Sequence, residues 1–115
     1  MLSKKQRLDR VAFAAVYKKG RRAHTPGLQL VYLSAPDFRA AAVVGQKVAP
    51  GAVRRNLLRR RLYAALAERF ADGEVQNGHV IVVAKPALAA YSYARLRDEV
   101  LGALAHVVGF KGDLR

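Results

Sequence analysis

His79-Val80-Ile81-Val82-Val83-Ala84-Lys85 holds an unbroken apolar, mostly β-branched run from Val80 to Ala84. A strand with one wet face alternates apolar and polar residues, so this run reads as a strand buried on both faces. Such a strand needs a packing layer on each side, which makes the fold α/β with a central sheet. Pro86 closes the strand. Beyond it Tyr93, Leu96, Val100, Leu101, Leu104, Val107 and Val108 recur at intervals of three and four, the stripe of an amphipathic helix laid on the sheet.

Before the strand, Asp72 to Gly78 is a polar loop, and residues 52–71 run without Gly or Pro in residues that mostly favour helix. Ala49-Pro50-Gly51 separates this long helix from a strand predicted within 39–48. Leu28-Gln29-Leu30-Val31-Tyr32-Leu33 predicts another, joined to it by a tight, hairpin-like turn at Pro36-Asp37. Thr25-Pro26-Gly27 is a turn. Leu8, Val11, Ala12, Ala15 and Val16 place a first helix at 8–18, stopped by Gly20. The expected order is α-β-β-α-β-α, a small α/β sandwich. With 115 residues, 52% of them hydrophobic, and no repeat or linker, one domain spanning 1–115 is expected.

The charge is unevenly spread. Residues 1–61 carry 15 Lys and Arg against Asp9 and Asp37, whereas residues 62–115 carry six of each sign, so the net +13 belongs to the first half. A field of one sign with so few carboxylates to neutralise it suits a polyphosphate partner, and an RNA-binding domain is expected. The absence of Cys excludes a disulfide scaffold, a thiolate metal site and a thiol nucleophile. No apolar run reaches the length of a membrane span, and no apolar segment follows the basic start. A cytoplasmic protein with no membrane partner is expected. The residues point to no obligate protein partner.

Catalytic groups are scarce. Asp98 and Glu99 are adjacent and point apart on a helix, and His24, His79 and His106 lack metal-ligand spacing, so no catalytic residue and no metal ligand is assigned. No glycine-rich phosphate loop is present. The long helix offers more. At about 100° per residue, Arg55, Arg59, Asn56 and Arg60 fall within an arc of about 140°, with Tyr63 in its midst. Val53, Leu57, Leu58 and Ala65 are expected on the opposite side. Guanidinium forks bind phosphate, an amide both donates and accepts, and an aromatic stacks on bases, which together suit RNA. Phe13 and Tyr17, four apart on the first helix, and Tyr32 on the adjoining strand form a second candidate, a stacking surface with Lys47 nearby.

Taken in order, Leu8, Phe13-Ala14-Ala15-Val16-Tyr17-Lys18-Lys19-Gly20, Tyr32, Gln46-Lys47, Arg55-Asn56-Leu57-Leu58-Arg59-Arg60 and Val80-Ile81-Val82-Val83-Ala84 resemble the pattern of the bacterial ribonuclease P protein component. The likeness covers residues 8 to about 108. Gln46, Leu57 and Tyr63 depart from it, standing where the family usually has Lys, Arg and Arg. The resemblance implies a left-handed βαβ crossover, and a protein that assists a catalytic RNA, with Mg²⁺ held mainly by that RNA, in removing the 5′ leader of precursor tRNA. It further implies that Arg55, Asn56, Arg59 and Arg60 meet the ribonuclease P RNA, while Phe13, Tyr17, Tyr32 and Lys47 meet the leader. The alternative of another class is a structural RNA-binding protein such as a small ribosomal protein.

Overall fold

A computed structural model describes residues 6–71 and 77–108. Most of the loop expected at 72–78, and the basic Lys4 and Lys5, lie outside the described residues. The elements are α1 (Arg10–Lys19), β1 (Arg21–His24), β2 (Leu28–Leu33), β3 (Phe38–Val43), α2 (Ala52–Ala71), β4 (Gly78–Ala84), a 3₁₀ turn at Pro86–Ala90 and α3 (Tyr93–Val108). Asp9 caps α1 by accepting from the Ala12 N–H at 2.8 Å, which satisfies one of the free donors at the helix start.

The strands form one mixed sheet in the order β1-β2-β4-β3. The expected α/β sandwich is present, with two differences. Arg21–His24 forms an additional edge strand, antiparallel to β2. The hairpin expected between β2 and β3 does not form, because β4 lies between them, antiparallel to β2 and parallel to β3. An internal position is what an all-apolar strand requires: both edges are hydrogen-bonded and both faces covered. The chain leaves β3 at Val43, earlier than 48, and turns through bonds from the Val48 and Ala49 N–H groups to the Gly45 carbonyl.

Two layers cover the sheet. Leu30, Tyr32, Ala40, Val80 and Val82 face Leu58, Leu62 and Leu66 of α2 and Leu96, Val100 and Leu104 of α3. On the other face Val31 and Ile81 meet Val16 of α1. Gly20 lets α1 end hard against the sheet, since a Cβ there would sit 2.6 Å from the Val31 side chain and 2.9 Å from the Tyr32 carbonyl. Gly78 starts β4 at φ 115°, and its missing side chain leaves the space that the Tyr32 ring fills.

The hand of the β3-α2-β4 connection follows from stereochemistry. In a strand of L-residues pointing upward, a residue whose side chain faces the viewer has its own N–H and C=O on the right. Ala40 faces the α2 layer, and its carbonyl accepts from the Leu8 N–H at the outer edge of the sheet. The outer edge is therefore on the right and β4 on the left, so the crossover is left-handed, against the usual rule.

The β1–β2 turn is fastened to α3 by one carboxylate. Glu99 accepts from the Thr25 hydroxyl (2.6 Å), the Gly27 N–H (3.1 Å) and the Tyr91 hydroxyl (2.5 Å). Burial alone would raise the Glu99 pKa, but the bonds from Thr25, Tyr91 and Gly27 outweigh it and hold the carboxyl below its ordinary value of 4.5. A carboxyl so held adds stability that is complete above pH 4.5 and is lost as pH falls through the folded-state value. Glu99→Gln leaves one of the three donors facing an NH₂ group, and thermal denaturation at pH 7 is expected to show a loss of about 1–3 kcal/mol. The gap between variant and wild type should narrow as the pH is taken well below 4.5.

Candidate nucleic-acid interface

Two surfaces gather most of the residues singled out by sequence. The first lies on α2 beside the outer edge of β3. Asn56, Arg59, Arg60 and Tyr63 line one groove together with Val53 and Arg7, a volume of about 380 Å³ with no carboxylate among the described residues of its wall. Arg59 donates to the Asn56 side-chain oxygen. Tyr63 is half-buried, and its hydroxyl accepts from the Ala42 N–H at 3.2 Å, which closes an edge donor of β3. The Arg7 guanidinium lies over the Tyr63 ring, 4.9 Å from its centroid.

Arg55 is placed differently from its three partners on the helical wheel. Its guanidinium turns back to the start of α2 and donates to the Ala49 (3.0 Å) and Pro50 (2.6 Å) carbonyls. Arg54 donates to the Ala89 carbonyl at 2.6 Å and so ties α2 to the 3₁₀ turn. Val53, expected on the packed side, is 85% exposed and belongs to the groove. It precedes the first residue that α2 buries, Leu58, and stands nearer to Arg60 on the wheel than to the core stripe.

The second surface is on the α1 side of the sheet. Cross-strand register aligns His24, Gln29, Val83 and Val43 in one row, and Arg22, Val31, Ile81 and Ala41 in the next. Helix α1 lies along the second row, starting beside Ala40 and ending against Val31. With Val16 pointing down, Phe13 and Tyr17 sit about 60° and 100° round the helix, on the side of the first row. The result is a cleft walled by two aromatics, with half-buried Val83, Val43 and Gln29 as its floor. The Phe13 and Tyr17 rings are nearly parallel, 9° apart in plane and 6.2 Å between centroids. Lys47 is exposed in the turn that leaves the same end of β3.

Tyr32 is not part of this cleft. The strand alternation that turns Gln29 and Val31 toward α1 turns Tyr32 the other way, into the α2–α3 core, where it is 6% exposed and its hydroxyl donates to the Asn77 carbonyl at 3.4 Å. Arg22 takes the place beside Tyr17 that the sequence reading gave to Tyr32. Its guanidinium is 4.7 Å from the Tyr17 ring centroid and donates to the Tyr17 carbonyl. Arg22 and Arg7 were missed because each depends on the β-pairing of a short charged segment, which has no apolar pattern to reveal it. Among the described residues no group of three or more His, Asp or Glu side chains could hold a metal ion. No described helix is long and apolar enough to cross a membrane.

The family model described as Ribonuclease P matches residues 2–108. The ribonuclease P protein component of Acidothermus cellulolyticus is 39% identical over 121 residues, covering 97% of this chain and 98% of that protein. That of Nitratiruptor sp. is 33% identical over 95 residues, with 83% and 84% covered. Among solved structures, the RNase P protein from Thermotoga maritima superposes with a TM-score of 0.73 at 21% identity, over 84% of this chain and 92% of that one. The Staphylococcus aureus RNase P protein does so with a TM-score of 0.66 at 20% identity, over 92% and 94%. These two structural likenesses concern the fold alone.

The different burial of the aromatics gives a direct test. Tyr32→Ala is expected to cost about 3 kcal/mol or more, as for other large buried aromatics. Tyr17, 48% exposed, should cost about 1 kcal/mol or less on the same change. Denaturant titration of the two variants measures both values, and equal losses would contradict the placement.

Proposed function

The chain belongs to the ribonuclease P protein family, and from that membership we propose how its two surfaces divide the work. The protein is the subunit of a ribonucleoprotein endonuclease that assists an RNA-catalysed removal of the 5′ leader from precursor tRNA. Family membership is what supports assigning Mg²⁺ mainly to the RNA; among the described residues no group of side chains is arranged to hold a metal ion. In this reading residues 1–115 act as one cytoplasmic RNA-binding domain.

The observation that carries the division is the groove on α2, whose wall holds arginines and no acid among the described residues. Asn56, Arg59 and Arg60 meet the catalytic RNA there, with Arg55 on the flank at the helix start. Arg54 works for the fold, through its bond to Ala89. The cleft of Phe13 and Tyr17 takes the single-stranded leader, whose bases stack on aromatic faces and whose phosphates meet Arg22 and Lys47 at the rims. Tyr32 contributes from beneath, by fixing the start of β4. The two surfaces share a border at β3: Val43 floors the cleft, and the preceding Ala42 N–H anchors Tyr63.

Rigorously RNA-free protein is expected to cleave no precursor tRNA, while adding a ribonuclease P RNA at low Mg²⁺ restores accurate 5′ cleavage. Metal-dependent cleavage by the protein alone, or no stimulation of the RNA, would overturn the reading. Arg59→Ala and Arg60→Ala should each weaken binding to the catalytic RNA and lower the salt slope by about one unit. Arg54→Ala should act mainly on melting temperature. In the reconstituted holoenzyme Tyr17→Ala should weaken binding of precursor relative to mature tRNA, by an amount set by stacking of about 1–3 kcal/mol per base. An unchanged precursor-to-mature ratio would take the leader away from this cleft.

A further inference from the structure

We propose that Arg7, in the segment before α1, is a further binding residue for the catalytic RNA, and that Tyr63 positions it. The inference deepens the reading of the α2 groove and rests on it.

Two contacts bring the N-terminal segment to α2. The Leu8 N–H bonds to the Ala40 carbonyl at 3.0 Å, and Arg7 pairs with Ala40 in parallel fashion, so the segment adds one step to the outer edge of β3. The next edge donor, the Ala42 N–H, is taken by the Tyr63 hydroxyl. Tyr63 is thereby pinned at its tip, with its ring beneath the Arg7 guanidinium at 4.9 Å. Arg7 consequently joins Arg59 and Arg60 in the wall of one groove, although more than fifty residues separate them in the chain.

The kind of contact matters. A carboxylate partner would hold Arg7 by consuming its N–H donors and cancelling its charge. The face of an aromatic ring attracts the cation through its quadrupole, consuming no donor and leaving the charge in place. A guanidinium positioned in this way keeps its fork for a phosphate and loses less side-chain freedom on binding. Three guanidinium groups around a groove with no acid among its described residues suit a phosphodiester backbone, and the occupant is a strand of the catalytic RNA.

The test is binding of the full-length protein to ribonuclease P RNA over a range of salt, with melting temperatures recorded in parallel. Arg7→Ala should weaken binding about tenfold and lower the salt slope by about one unit. Tyr63→Leu, which removes the ring, should lower the slope as Arg7→Ala does, and Tyr63→Phe, which keeps the ring, should restore it. The Arg7→Ala/Tyr63→Leu double variant should bind no worse than Arg7→Ala alone, because both changes remove one interaction. A purely structural Tyr63 would lower melting temperature without moving the slope. Additive losses in the double variant, or an unchanged slope in Arg7→Ala, would overturn the inference. If Tyr63→Leu fails to fold, Arg7→Ala and Tyr63→Phe still decide, since the first must lower the slope by about one unit and the second must keep it. Normal Arg59→Ala and Arg60→Ala defects beside an inert Arg7→Ala would sink this inference alone. Failure of the wild-type protein to bind the RNA would sink the groove assignment with it.

Discussion

Val80, Ile81 and Val82 are all fully buried, in a strand whose neighbours point to opposite faces, so the sheet must be covered on both sides at once. Most of the architecture answers that demand. With β2 on one edge and β3 on the other, β4 is paired along both of its edges. The long helix between β3 and β4 must then lie on one face or the other. A right-handed connection would put α2 on the side of α1, over the row of His24, Gln29, Val83 and Val43. The left-handed connection puts it on the far side with α3, and the aromatic cleft stays open. The uncommon hand is thus the condition for keeping the aromatic cleft and the α2 groove as two separate open surfaces.

The second constraint is the shortage of carboxylates. Those with described partners hold the fold together at particular points: Asp9 caps α1, Asp37 binds His79 and Arg39, and Glu99 fastens the β1–β2 turn. Glu68 accepts from Tyr93 at 2.5 Å and lies near Arg69 and Arg97. Burial, reinforced by Glu68, pushes the Tyr93 hydroxyl up to about 12. None of these acids lines the α2 groove. The acids that brace the fold are therefore separated in space from the groove, whose guanidinium groups meet no carboxylate among the described lining residues.

Long periodic segments were legible because their pattern and their burial have the same cause. The twenty residues of α2 and the apolar run of β4 appear where the sequence places them. Strand β1 was not, since Arg-Arg-Ala-His has no apolar alternation and owes its form to pairing with β2. The pairing order was equally hidden: adjacency in the chain favours a β2–β3 hairpin, and only the demand of β4 for two partners separates them. Tyr32 went astray for a related reason. Strand β2 is apolar at almost every position because both its faces are covered, so composition does not reveal which face holds the aromatic. On the helix the wheel placed Asn56, Arg59, Arg60 and Tyr63 together, yet the turn of Arg55 toward the Ala49 and Pro50 carbonyls depends on the loop and is invisible to a wheel.

The two surfaces solve a common problem in the same way. An exposed arginine has to be held in place, yet pairing it with an acid would cancel its charge, and on the proposed function that charge is what draws the RNA. At the cleft Arg22 lies over Tyr17, and at the groove Arg7 lies over Tyr63. Arg95, in the half of the chain where charges balance, has both kinds of partner: the Tyr91 ring at 4.2 Å and the Glu99 carboxylate at 3.7 Å. The contrast fits the proposed function: where the charge serves the fold an acid neutralises it, and where it would serve a polyanion an aromatic face supplies the hold and leaves the field intact.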